Sequence, residues 1–241
     1  MSTLLISDIH LSPDQPGLTR RFLDFLEAQT QGVQSIWILG DLFEAWIGDD
    51  AAGSFELGIA EALAARQRAG VDLHYLHGNR DFLLGPDFAG RAGLRLHQQP
   101  VVTELAGRRV VLCHGDQLCT DDTAYQRWRA RVQDPVWQRR MLAKPVWLRR
   151  LLARALRAAS SLRNRRANDE LLDVNDEAVR RLLRDCQADC VIHGHTHRPG
   201  RHRIELDGST CERIVLGDWY TQDSALLADE SRIRWLCPPP A

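Results

Sequence analysis

Short apolar runs, each closed by an acid or a glycine, recur along this chain. Residues 3–7 and 35–39 are such runs, with apolar residues side by side. That pattern suits strands covered on both faces. Between them, residues 18–29 carry helical spacing at Leu18, Phe22, Phe25 and Leu26. Residues 55–69 repeat the helical pattern and lead to a third strand at 72–76, and 109–113 and 190–192 read as further buried strands. Strand–helix alternation of this kind predicts an α/β architecture. The tail changes character. Four short strands at 201–206, 213–216, 224–227 and 233–236, punctuated by Gly and Asp, predict a mixed or antiparallel second sheet. The expected fold is two sheets packed face to face with helices outside.

One stretch interrupts that pattern. Residues 121–167 read as a helical insertion, with Pro135 and Pro145 as breaks or first-turn residues. Within 148–166, Leu148, Leu151, Leu152, Ala155, Leu156, Ala159 and Leu162 cluster on one side of a helical wheel. Arg149, Arg150, Arg154 and Arg157 take the other, which makes a basic amphipathic helix. The net charge of −1 conceals this asymmetry, since residues 126–166 hold thirteen Lys or Arg against one acid, Asp134. The cationic face either is solvated, with the apolar face packed on the body, or serves an anionic partner. No nucleic-acid motif accompanies the cations.

At 241 residues, 44% hydrophobic and 26% charged, the chain suits one domain over 1–241 carrying the insertion. Its N-terminus lacks a basic region before the first apolar run, so no secretion signal is expected, and no apolar stretch approaches membrane-spanning length. The six scattered cysteines predict reduced, mostly buried thiols rather than a disulfide framework.

The chemistry sits where predicted strands run out. Asp8 and His10, Asp41 in Gly40-Asp41, Asn79 in Gly78-Asn79-Arg80-Asp81, His114 in His114-Gly115-Asp116, and His195 with His197 form five blocks. Carboxylate, amide oxygen and imidazole together suit hard or borderline divalent cations. Seven donors exceed one ion and suit two that share a carboxylate, an arrangement made for in-line displacement at phosphorus. A spacing of two residues on an extended backbone places Asp8 with His10, and His195 with His197, on one face. Asp81 and Asp116 are either orienting partners of a ligand histidine or turn formers. His74, His77, His97 and His202 lack this context.

Taken together and in this order, the five blocks resemble those of the calcineurin-like metallophosphoesterase superfamily. The resemblance implies a two-sheet metallophosphoesterase sandwich in which Asp8, His10, Asp41 and His197 hold one ion. Asp41, Asn79, His114 and His195 hold the other, with Asp41 bridging. The superfamily places a histidine after Gly-Asn; here Arg80 stands instead, a permanent cation whose fork suits a phosphate. Residues 40–50, 77–85 and 194–199 look like those of the UDP-2,3-diacylglucosamine hydrolases of Gram-negative lipid A synthesis, and the insertion matches that family's helical lid in place and length. This likeness implies two Mn2+ ions and cleavage of UDP-2,3-diacylglucosamine into UMP and 2,3-diacylglucosamine 1-phosphate. It also implies peripheral attachment at the cytoplasmic face of the inner membrane, and no obligate protein partner is evident.

Catalysis then falls to Asp41, Arg80 and His195, with Arg80 meeting the charge that develops on phosphorus. Substrate contacts map to Asn79, Arg80, Asp122, Ser160, Asn164 and His195, while a lid lysine of the family corresponds here to Ala167, beside Arg165 and Arg166. Independently of the resemblance, Asp122 reads as a helix N-cap. Trp128, Trp137 and Trp147 serve either a membrane interface or the core. Two other functions fit the sequence: a metallophosphoesterase of soluble substrates, and a non-catalytic scaffold of the same fold.

Overall fold

The computed structural model describes residues 2–164, 173–220 and 224–236, with the backbone alone for 159–164. Four parallel strands, β1 (Thr3–Ile6), β2 (Ser35–Ile38), β3 (Asp72–Leu76) and β4 (Leu94–His97), form most of a six-stranded sheet. Helices α1 (Pro16–Gln29), α2 (Ser54–Arg68) and α3 (Pro86–Ala92) connect them. A second sheet follows the order β5 (Val101–Leu105), β6 (Arg108–Leu112), β7 (Cys190–His193), β9 (Ser209–Val215), β8 (Gly200–Leu206). Its three central strands run parallel, and its edges are antiparallel.

The unbroken apolar runs are explained by layering. In β1, Leu4 and Ile6 point into a core beneath α1 and α2, with Phe22, Ile36, Leu63 and Tyr75. Leu5 points the other way, between the sheets, where it meets Trp37, Leu76, Leu112, Ile192 and Ile214. A third core, with Val111, Val191, Val179 and Leu183, lies under α7 (Asp176–Cys186) on the outer face of the second sheet. A strand buried on both sides has no polar position to spare.

The tail departs from expectation. Its four strands do not make one sheet of their own. β8 and β9 enlarge the second sheet, whereas β10 (Ala225–Ala228) and β11 (Ile233–Trp235) return to the first, β10 pairing antiparallel with β1. The short apolar β10, with Ala225 and Leu226 fully buried, covers an edge of β1 that would otherwise stand open.

Between β6 and α7 lie α4 (Thr123–Val132), α5 (Pro135–Leu142) and α6 (Val146–Asn164). Pro135 opens α5 and Pro145 precedes α6, both where a missing N–H costs nothing. Asp122 caps α4 by accepting the Tyr125 N–H at 2.8 Å. The orientation expected for α6 needs correction. Arg149, assigned to the charged outer side, is buried, whereas Trp147, Leu151 and Leu156 are exposed, Trp147 at 68%. Arg149 reaches Asp50 at 2.8 Å and donates to the carbonyls of Ile47 and Lys144. A guanidinium so well supplied with acceptors is tolerable inside, and the apolar stripe, wider than the body can cover, is left partly outside.

Candidate metal centre

Every expected donor sits just beyond a strand, and the loops carrying them run side by side. Past the end of β1, Asp8 N donates to Gly40 O, His10 N to Asp41 O and Leu11 N to Leu42 O, so the first two donor loops form a short ladder. The buried Asp81 carboxylate pins this ladder to the third loop, accepting the N–H groups of Leu42 at 2.8 Å and Gly78 at 2.9 Å. Asp81 therefore orients backbone and not a histidine ring. Asp116 also orients no ligand histidine. Its carboxylate takes the Tyr125 hydroxyl at 3.0 Å and Arg129 Nε at 2.7 Å, tying α4 to the rim of the site.

Five of the seven donor residues are not on extended backbone. Asp8, His10, Asp41, His195 and His197 all have φ between 53° and 69°, and they are five of the eight non-glycine residues with positive φ among the described residues. Alternate left-handed residues, not the two-residue period of a strand, turn each pair inward. Such conformations cost roughly 1–3 kcal/mol apiece and persist where the surroundings overdetermine them. Two glycines are needed here for space. A Cβ on Gly78 would come within 2.0 Å of Asp41 Oδ1, and one on Gly194 within 2.0 Å of Asp8 Oδ2.

All seven donors converge. Asp8 Oδ1 is 3.2 Å from His197 Nε2 and 3.9 Å from His10 Nε2. Asp41 Oδ1 accepts the Arg80 N–H at 2.8 Å, which leaves Oδ2 between His10 Nε2 at 4.0 Å and His114 Nε2 at 3.8 Å. On the far side, Asn79 Oδ1 lies 2.9 Å from His114 Nε2 and 2.8 Å from His195 Nδ1. Donor atoms of Asp8, His10 and His197 lie within 4.8 Å of one another, as do those of Asp8, Asp41 and His114.

The outer nitrogens of three rings face an acceptor behind them, the one on His10 at ion-pair distance and without a hydrogen bond. His114 Nδ1 lies 2.9 Å from Leu39 O, His197 Nδ1 3.2 Å from Asp218 Oδ2, and His10 Nδ1 3.3 Å from Glu44 Oε2. Fixing the outer nitrogen sets the ring's orientation and turns the inner lone pair toward a cation. Asp218 and Glu44 escaped sequence reasoning. Glu44 stands three residues after Asp41, and Asp218 follows β9, with no histidine beside either to draw notice.

The electrostatics match a centre built for added positive charge. Burial pushes the Asp41 carboxyl up to about 6, against the pull of His114 and His10. For Asp8, burial is outweighed by His197 and the other two rings, and its carboxyl falls well below the usual range. His197, although buried, is raised to about 10 by Asp218 and Asp8, whereas burial and the charge of His114 lower His195 to about 3. Acceptor oxygens and imidazole nitrogens facing one another at 2.8–4.0 Å across a buried space fit divalent cations, by donor type and number.

Beside the donors opens a cavity of about 300 Å³, lined by Trp46, Phe82, Leu83, Trp128, Trp137, Met141, Leu152 and Leu156, with Asn79, Arg80 and Arg157 among its polar groups. Of the remaining expected contacts, Asp122 is buried at the start of α4, near this cavity's Tyr125. The side chains of Ser160 and Asn164, and all of Arg165, Arg166 and Ala167, lie outside the described residues. His74 and His97 pair at 2.9 Å against Trp37, away from the donors.

A family model for the calcineurin-like phosphoesterases matches residues 1–199. A UDP-2,3-diacylglucosamine hydrolase of Xanthomonas oryzae pv. oryzae is 47% identical over 236 residues, 95% of this chain and 96% of that one. One of Chromohalobacter salexigens is 48% identical over 219 residues, covering 91% and 89%. One of Xanthomonas campestris pv. campestris is 46% identical over 236 residues, covering 95% and 96%. With all five donor blocks meeting at the rim of a two-sheet sandwich and the match running through them, the chain belongs to the calcineurin-like phosphoesterase family.

Proposed function

We propose that this chain hydrolyses the pyrophosphate of UDP-2,3-diacylglucosamine, releasing UMP and 2,3-diacylglucosamine 1-phosphate, as the names of its relatives suggest. The observation that carries this reading is the junction of two unlike spaces: a convergent set of oxygen and imidazole donors, and an apolar cavity opening directly beside it. A wall of Trp46, Phe82, Trp137, Met141 and Leu152 suits acyl chains, since each buried methylene stabilises binding by about 0.8 kcal/mol.

In this reading Asp8, His10, Asp41 and His197 hold one divalent cation, and Asp41, Asn79, His114 and His195 the other, both Mn2+. Two such ions supply Lewis acidity toward phosphoryl oxygens and make hydroxide available near neutral pH. The chain's own groups do the rest. Asp41 presents one oxygen to both halves of the site while the Arg80 N–H fixes the other. The Arg80 guanidinium, partly exposed at the cavity wall, meets negative charge growing on the phosphoryl oxygens. A sugar phosphate leaves as a stable anion, so the leaving group has little need of an acid, and an arginine in place of a histidine is no handicap. Asn79, Asp122, Ser160, Asn164 and His195 complete the proposed substrate contacts beside Arg80, with a lid over about 121–167.

The same lid suits a lipid-bearing surface. Val136, Leu142, Trp147, Leu151 and Leu156 are exposed, with Arg150 and Arg154 between them. Exposed apolar residues amid cations bind anionic bilayers peripherally, and no helix among the described residues is long and apolar enough to cross a membrane. The site of action in this reading is the cytoplasmic face of the inner membrane. UMP release from the diacylated substrate with Mn2+, measured beside a UDP-sugar lacking acyl chains, tests the proposal. Equal turnover of both would exclude it.

A further inference from the structure

Glu44 sits where three parts of the molecule meet. Its Oε2 lies 3.3 Å from His10 Nδ1 and accepts the Tyr220 hydroxyl at 3.2 Å. Tyr220 in turn stacks on the His10 ring, centroids 5.5 Å apart and planes within 4° of parallel. The second oxygen, Oε1, faces two guanidinium groups: Arg157 Nε of α6 at 3.5 Å and Arg80 Nη1 at 3.9 Å. One oxygen thus serves a donor to the metal centre, and the other serves the helix covering the cavity.

We propose that Glu44 is a positioning residue that couples the seating of helix α6 to the alignment of His10 at the metal centre. The inference rests on the reading of that centre as a divalent-cation site. A carboxylate shared between a ring and an arginine of another element orients the ring best when that arginine is in place, because losing Arg157 leaves its second oxygen only the longer contact to Arg80. By reciprocity, whatever fixes His10 also favours the seated helix. Around α6 this link is independent of the buried Arg149, which secures the helix's first turn to Asp50. Arg157 lies two turns further on, half-exposed, with Glu44 its ion-pair partner among the described residues.

The test uses amide hydrogen exchange of residues 146–158 in the full chain, with and without saturating Mn2+. Wild-type protein is expected to exchange several-fold more slowly when Mn2+ is present. In Glu44→Gln, which keeps an oxygen for His10 but no charge for the arginines, and in Arg157→Gln, that difference is expected to vanish. Arg157 is half-exposed, so its replacement is expected to leave the fold intact, which melting curves of both variants check. In parallel, Glu44→Ala is expected to weaken Mn2+ binding about 10- to 100-fold by calorimetry, the usual cost of losing the partner behind a ligand histidine. Unchanged Mn2+ affinity in Glu44→Ala, or Mn2+-dependent protection of α6 that persists in both glutamine variants, would overturn the proposal. A wild-type protein that shows the protection yet releases no UMP from the UDP-lipid would overturn the substrate reading alone.

Discussion

Replacing Asp41 by asparagine should make the metal-free protein more stable and the enzyme inactive. The Asp41 carboxyl is 2% exposed, and burial raises it from 3.8 to about 6. A carboxyl that holds its proton more tightly when folded destabilises the fold wherever the unfolded chain has already lost that proton. The penalty is absent below pH 3.8, grows from there to about pH 6, and is complete above it. A shift of this size amounts to roughly 3 kcal/mol at neutral pH as an upper value. Asparagine keeps the oxygen that accepts the Arg80 N–H and places an amide near His10 and His114. For a chain of this length the gain corresponds to a rise in Tm of about 6–12 °C. Thermal melts of chelator-treated wild type and Asp41→Asn at pH 7.5 and pH 4 provide the assay. The variant is expected to melt higher at pH 7.5, with the gap closing at pH 4. Mn2+ should raise the wild-type Tm and leave the variant unmoved, and UMP release should fall by about 10³-fold, the scale of losing one electrostatic element of a phosphoryl-transfer site. A variant melting no higher than wild type at pH 7.5 without metal would refute the reasoning.

Gly194→Ala should lower stability by about 1–3 kcal/mol and abolish turnover, because the new methyl displaces Asp8; denaturant unfolding and UMP release check both. Arg80→Lys, which keeps charge but loses the fork, should reduce kcat by about 10²-fold with the Mn2+ affinity intact; a parallel loss of metal binding would count against its place in catalysis. His197, raised to about 10 in the metal-free protein, must give up a proton to bind an ion. Calorimetry of Mn2+ binding at pH 7.5 in buffers of different ionisation enthalpy should therefore report net proton release, and buffer-independent heats would contradict it.

Much of the site was legible because its side chains are of rare types in short blocks, each following a segment that reads as a strand. Asp8, Asp41, Asn79, His114 and His195 could be placed at one rim from that pattern alone. The left-handed backbone at five donors was not legible, since nothing in Ser7-Asp8-Ile9-His10 distinguishes an extended segment from alternate positive φ. Glu44 and Asp218 were missed because their role depends on which ring nitrogen faces away from the centre. Edge strands β4 and β5 escaped notice through their exposed alternate positions, and α7 through its strongly charged outer face. On α6, periodicity gave the stripe but not its orientation, which Arg149 settles by finding Asp50 and two carbonyls.

The donors are divided between the halves of the sandwich: Asp8, His10, Asp41 and Asn79 belong to loops of one sheet, His114, His195 and His197 to loops of the other. Neither half alone encloses a complete coordination sphere. A ribosome must therefore deliver the chain past His197, and both halves must dock, before all seven donors can face one another. The choice among competing cations is thus made by a finished scaffold of preset spacing, and an ion gripped early by a few nascent side chains has no template to hold it.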